Sequence, residues 1–493
     1  MRPVSVLALP ALSLAFSLGI SDARAQHAPP ATGAQAPPQD LDAPMPTMEQ
    51  IAAKFDPEPN GLTSEEVVRR ALEHSPELKK AMLSEDTAAA NKARAKLAFA
   101  PRFDFSGKYQ RISEINFPPF RFPGAPAGMG VTFPQVLDQW YAQASAMLPV
   151  TDVFLTVVPT YKAANLLSAV AEQRRMASEL QVSYDARVAF YDYAHVIGAV
   201  VVAAQAGELL EGSVRDLDAL VQAGAATETD LMRTRSELAK IRASEVELTG
   251  MRDVALRRIV VITGTEFDPK RGIGERFVGI ELTTTPSVTD VTAEAKRVRP
   301  ELIALRKLEK ARDYLARAKR GAQYPKLNGF ADYYRANPHP RVVPQTDKWY
   351  DSWDVGVMLS WSPNDSVFAH TQYTDALTDL ASVREDLRLV EDGISMETAH
   401  AVSSHMSAVH HIDAATQTLE AARRYQQDQR SLVLAGAATP NDLLLAQVQL
   451  TRAALEWVDS FIKVRVAEAA LLKARGKIGL SNTGSVAQGS SKP

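Results

Sequence analysis

One eight-residue motif and its second copy constrain this chain more than any other feature. Gly224-Ala225-Ala226-Thr227-Glu228-Thr229-Asp230-Leu231 returns as Gly436-Ala437-Ala438-Thr439-Pro440-Asn441-Asp442-Leu443, and both copies sit between long segments of helical period. Glycine after a helix takes the left-handed conformation without steric cost, so Gly224 and Gly436 are expected to end one helix each. Thr229-Asp230 and Asn441-Asp442 are expected to cap the next, whose first N–H groups need acceptors. Each copy therefore reads as the tip of a long helical hairpin, and two tips imply a duplicated architecture.

The rest of the chain repeats around those tips. Pro300-Glu301-Leu302 lies 224 residues after Pro76-Glu77-Leu78, and Tyr324-Pro325 lies the same distance after Ala100-Pro101. Further on the offset drops: Met358-Leu359 follows Met147-Leu148 by 211, and Gly436 and Gly476 follow Gly224 and Gly264 by 212. The drop falls between two strand candidates, so it reads as one shortened loop between two structural repeats. The expected division is a leader over 1–25, a Pro- and Ala-rich segment over 26–61, and a first repeat over 62–264. A linker over 265–291, a second repeat over 292–480 and a loose tail over 481–493 complete it.

The leader has the composition of an export signal. Arg2 supplies the positive end, Val4 to Ile20 a mostly apolar core, and Ala23-Arg24-Ala25 a small-x-small cleavage site. The chain has no cysteine, so it has neither disulfides nor the residue that bacterial N-terminal lipidation uses. Net charge is −3, with no Lys- or Arg-rich run, which argues against a nucleic-acid partner. Past the leader no window offers the roughly 20 apolar residues of a membrane helix; the best rival is Val196 to Ala204. Entry into a membrane would therefore require strands closed into a barrel.

Helices are expected from Leu62-Thr63-Ser64-Glu65-Glu66, where a hydroxyl cap precedes acids, and again from Ser75-Pro76. Near-continuous helix follows from Asp152 to Ala223, where Pro159 is the only strong breaker. That length corresponds to about 100 Å at ~1.5 Å per residue. Leu210, Val214, Leu217 and Val221 carry a coiled-coil seam, as do Val448, Leu455, Ile462 and Ala469 in the closing helix.

Between the helices the apolar period switches to two. Strands are expected over about 101–112, 140–149, 325–335 and 351–362. Trp140 and Tyr141 open the second; Trp353, Val355, Val357, Leu359 and Trp361 share one face of the fourth. Trp353 and Trp361 would lie roughly 27 Å apart along a strand, a span suited to the apolar band of a membrane barrel between aromatic girdles. A soluble sandwich with one buried face uses the same alternation. Four strands cannot close a barrel, since about eight is the least that leaves a filled interior. A barrel would need several copies of the chain.

Taken together and in this order, twice over, the motifs from Leu62 to Leu480 resemble the TolC-like outer membrane factors of efflux and type I secretion systems. The order is helix, x-Pro-Glu-Leu, helix, strand pair, very long helix, Gly-x5-Asp tip and return helix. The resemblance implies a mainly α fold with β: a homotrimer with a four-strand share of a β-barrel per subunit in outer-membrane lipid, and a long α-barrel crossing the periplasm. It implies a mixed equatorial belt around Thr265–Val291 and the C-terminal region, with a periplasmic adaptor and an inner-membrane pump of RND, MFS or ABC type as partners. It places Gly224, Thr227, Thr229, Asp230, Gly436, Thr439, Asn441 and Asp442 at the periplasmic tip, the adaptor-binding end. Asp442 with Asp230 would form an acidic ring at the pore mouth, and Trp140, Tyr141, Trp353 and Trp361 an aromatic girdle. The family's Tyr and Arg latch is missing, because Val433 and Ala438 occupy those positions, and Leu445 replaces a second acid.

Plainer roles compete. Asp230 and Asp442 can serve as helix caps, and the glycines as turn formers. His400, His405, His410 and His411 crowd into twelve residues, but His405 lies about 140° round a helix from His400. A solvated or pore-facing stripe is expected there rather than zinc. The chain has no phosphate-binding loop and no His-Glu-x-x-His, so neither enzyme nor cofactor is expected. A passive exit duct is the leading function and a soluble periplasmic coiled-coil scaffold the alternative.

Overall fold

A computed structural model describes residues 53, 55–115, 123, 135–268, 271–278 and 284–478. The expected leader and tail lie outside these residues. In chain order the elements are α1 (Ser64–His74), α2 (Pro76–Leu97), β1 (Arg102–Arg111), β2 (Asp138–Pro149), α3 (Val158–Gln222) and α4 (Glu228–Thr263). The second half runs α5 (Val288–Val298), α6 (Pro300–Gly321), β3 (Lys326–Asn337), β4 (Tyr350–Ser360), α7 (Pro363–Leu434) and α8 (Pro440–Ala474).

Local chemistry sets the starts. Thr63 Oγ1 accepts from Glu66 N at 3.2 Å and begins α1. Pro76 and Pro300 occupy the first helical positions of α2 and α6, where a missing N–H costs nothing. Pro159 has a different effect. It cannot donate to Leu155, and a π-helical turn at Val153–Val157 precedes α3. The Leu155 carbonyl then lies so close to Gly321 that a Cβ there would sit 2.2 Å from its oxygen.

The four strands form one antiparallel sheet in the order β1-β2-β3-β4, with long, in-register pairing throughout. One face carries Phe103, Phe105, Trp140, Leu148, Trp353, Val355, Val357 and Leu359, all exposed; the other carries Asp104, Ser145, Asp332 and Asp354 in a single row. No helix covers the apolar face among the described residues. Strand bounds differ from expectation by one or two residues. As a consequence, Trp361 falls beyond the end of β4, in the link to α7, where its Nε1 donates to Ser366 Oγ at 2.8 Å.

The main core lies along the helices. Val67, Val68 and Ala71 of α1 pack with Phe190 and Tyr193 of α3, Ile259 of α4, Leu419 of α7 and Trp457 and Phe461 of α8. Phe55 belongs to it, 5.4 Å from the Phe277 ring, so order begins before Leu62, contrary to expectation. In α8 the expected seam is buried at Ile462 and Ala469 but only half-buried at Val448 and Leu455, while Trp457 and Val464 beside it are buried as well. α8 packs on both α7 and α3, and two partners widen a two-residue seam into a broad buried stripe. One 18-residue window within Val150–Gln222 does reach a mean hydropathy of 1.4, against expectation, and half of it is buried inside the subunit.

Charge knits the mid-length region. The Arg299 side chain, only 6% exposed, pairs with Glu301 at 3.0 Å and with Glu397. Burial alone would lower its pKa, but the two carboxylates outweigh burial and raise it. Burial would likewise raise Glu301, yet Arg299 holds it below the ordinary carboxylate value. A depressed carboxyl contributes stability that is present above its unfolded pKa of about 4.3 and lost as pH falls through the lower folded value. Urea resistance is therefore expected to fall with pH below about 4, and Arg299→Met is expected to flatten that acid limb. Titrating the unfolding midpoint of both proteins checks it.

Candidate functional site

The two tips have nearly the same backbone. Gly224 and Gly436 take φ of 74° and 71°. The Ala225 N–H reaches the Leu220 carbonyl and the Ala437 N–H the Leu432 carbonyl, each at 2.8 Å; the Gly224 and Gly436 N–H groups reach Val221 and Val433 at 3.0 Å. These paired bonds close a helix end around a left-handed residue. A Cβ at either glycine would meet nothing within 4 Å, so backbone conformation, not space, requires glycine.

The caps differ from expectation. Thr227 and Thr439, not Thr229-Asp230 or Asn441-Asp442, are the N-cap residues, and both aspartates fall three positions later. Thr439 Oγ1 accepts from Asp442 N at 3.3 Å, and Asp442 Oδ2 accepts from Thr439 N at 3.0 Å, a reciprocal capping box. At the first tip Thr227 Oγ1 donates to Asp230 Oδ2 at 2.6 Å. A threonine directly after the last alanine reaches the free N–H, and the aspartate three residues on reaches back. Thr439→Ala is expected to cost about 1 kcal/mol, and Gly436→Ala about 1–2 kcal/mol in left-handed strain; thermal melts of the helical signal read both.

The tips are tied together. Arg233 Nη1 donates to Asn441 Oδ1 at 2.6 Å, and Asp216 faces Arg430 at 4.0 Å. Between the hairpins is a cavity of about 30 Å³ lined by Ser213, Asp216, Thr234, Arg430 and Gln447 among apolar neighbours. Burial raises the Asp216 carboxyl, opposed by Arg430. Gln426, one helical heptad after Leu419 and one before Val433, is wholly buried. These polar residues escaped the sequence reading; glutamine at a seam position was the available signal. Gly224, Thr227, Thr229, Gly436 and Thr439 are exposed, and Asp230, Asn441 and Asp442 half-buried.

At the sheet, Trp140 stands 47% exposed on the apolar face, its ring 4.4 Å from Tyr109. Tyr141 does not join it. Strand alternation turns Tyr141 to the polar face, opposite Lys108, with its hydroxyl donating to Gln139 Oε1 at 2.9 Å. Trp361, at the strand–helix joint, is 60% exposed. The histidine cluster also departs from expectation. His400, His410 and His411 are exposed, but His405 is fully buried with Nδ1 3.0 Å from Thr285 Oγ1, because α7 is covered there by the segment entering α5. Among the described residues, no three His, Asp or Glu side chains gather as a metal cage.

A profile of the outer membrane efflux protein family matches residues 67–265 and 291–477. No curated protein is a match in sequence. Among solved structures, the outer-membrane protein VceC from Vibrio cholerae superposes with a TM-score of 0.69 at 16% identity, covering 84% of this chain and 96% of its own. The outer-membrane channel CmeC of Campylobacter jejuni gives 0.67 at 15% identity, over 95% of this chain and 96% of its own. The outer-membrane channel OprN gives 0.68 at 15%, over 90% and 98%.

Proposed function

The chain belongs to the outer membrane efflux protein family and is thus a passive outer-membrane efflux channel rather than an enzyme; from that premise we propose that three copies form one continuous duct. The single observation that carries this reading is the uncovered apolar sheet face, with Phe105 82%, Trp353 71% and Val357 73% exposed. In water such a patch is a liability; in lipid it is the required outer surface of a barrel. A soluble scaffold would have no use for it.

Two further features support the assembly. Among the described residues β1 and β4 each leave one long edge unpaired, which invites pairing with another copy. Three four-stranded shares would make twelve strands. On the helices, α2 buries only Leu78 within the subunit and exposes Met82, Leu83 and Leu97, while α7 exposes Leu389, Met396 and Met406. Those flanks suit neighbouring subunits. The tips, carrying exposed Gly224, Thr227, Thr229, Gly436 and Thr439, would then face the periplasmic adaptor of an efflux pump, with Asp230 and Asp442 around the mouth.

Outer-membrane fractionation, followed by gel filtration in mild detergent and recording in planar bilayers, tests the proposal. Conducting trimers are the expected result. A monomer released by osmotic shock would refute it.

A further inference from the structure

The loop joining β3 to β4 opens with a turn, His339 to Arg341, that bends back over the polar face of the sheet, the face that lines the duct if the apolar face meets lipid. His339 is 2% exposed, and its Nε2 lies 2.9 Å from Ser352 Oγ, with Nδ1 accepting from Arg341 N at 3.2 Å. From that turn Arg341 reaches down the sheet. Its Nη2 donates to Asp354 Oδ1 at 2.8 Å, its Nη1 to the Trp353 carbonyl at 3.4 Å, and its guanidinium carbon lies 5.9 Å from the centre of the Tyr334 ring.

The register explains why a cation belongs there. Asp354 stands directly opposite Asp332 across β3–β4, and Ser145 and Asp104 continue the same row on β2 and β1. Like charges directly opposite destabilise a strand pair. Asp104 has Arg102 at 2.9 Å, and Asp332 accepts from Gln143 at 3.1 Å. Arg341 is the cation that reaches Asp354, and it comes from the loop rather than from a strand.

We propose that the β3–β4 loop is an inward strap at the outer exit of the duct, and that Arg341, anchored on Asp354, sets the charge that leaving solutes meet. This rests on the channel reading. The strap offsets an acidic row that would otherwise favour cations, and its anchoring narrows the exit. The cargo class it suits is anionic or neutral solute, since unpaired Asp354 and Asp332 would retard anions.

The chain is cysteine-free, which makes a thiol test clean. In planar bilayers under a KCl gradient, Arg341→Cys is expected to raise single-channel conductance and move the reversal potential toward cation preference. A cationic methanethiosulfonate reagent should restore a positive charge at that place and reverse the shift. Asp354→Asn frees the strap but removes an anion, so conductance should rise while selectivity moves the opposite way. Opposite signs separate charge from folding damage, and either variant carries the test if the other fails to assemble. Reversal potentials unchanged in both, or shifted in the same direction, would overturn the inference. A wild-type protein that does not conduct would instead overturn the duct itself.

Discussion

Arginine in place of Val355 or Val357 is expected to abolish outer-membrane assembly, whereas arginine in place of Ser145 is expected to be tolerated. Val355 and Val357 are 69% and 73% exposed on the apolar face, and a midplane arginine on a lipid-facing strand costs about 2–4 kcal/mol. The cost recurs in every subunit, so the assembled barrel suffers it several times over. Ser145 lies on the opposite face, between Asp104 and Asp332 in the strand register, where an added guanidinium meets carboxylates and water. Yield in the outer-membrane fraction and survival of the oligomer in unheated detergent gels measure both. Equal yield for Val355→Arg and the parent protein would mean that this face does not meet lipid.

The second large effect lies in the helices. Trp457 is 5% exposed, stacks edge-on against Phe461 at 5.2 Å, and donates from Nε1 to Thr416 at 3.2 Å. It joins α8 to α7 within the main core. Trp457→Ala is expected to lose about 3–5 kcal/mol through the lost burial and the cavity left behind, and the Thr416 hydroxyl loses its donor. Denaturant unfolding followed by the helical signal measures the change. Trp457→Phe separates the two contributions, since it keeps most of the volume and drops the hydrogen bond. A midpoint unchanged in Trp457→Ala would show that α7 and α8 are held by their other contacts.

Much of the local order is legible in the sequence itself. The glycines and threonines of the tips act through their own backbone, so Gly224 and Gly436 end their helices as their neighbours suggest. Strand alternation is equally local and separated Val355 from Asp354. The misplacements came where two conformations are locally equal. A Thr-x-Thr-Asp run offers several caps, and only the geometry of the preceding left-handed turn selects Thr227 over Thr229. Tyr141 beside Trp140 looks like part of a girdle until the pairing of Trp140 with Tyr109 fixes which face it takes.

Other features depend on residues far apart in the chain. The buried state of His405 rests on Thr285, the Arg299 network on Glu397, and the cavity behind the tips on Ser213 and Gln447 meeting from different hairpins. Periodicity, repeat order and turn chemistry determined the element types, the duplication and the membrane-type strands, because each depends on neighbours within a few positions. Tertiary structure alone decided which polar groups are buried, which loop folds inward, and which faces stay bare. Those outcomes depend on what the rest of the chain covers, and periodicity carries no information about a partner 120 or 234 residues away.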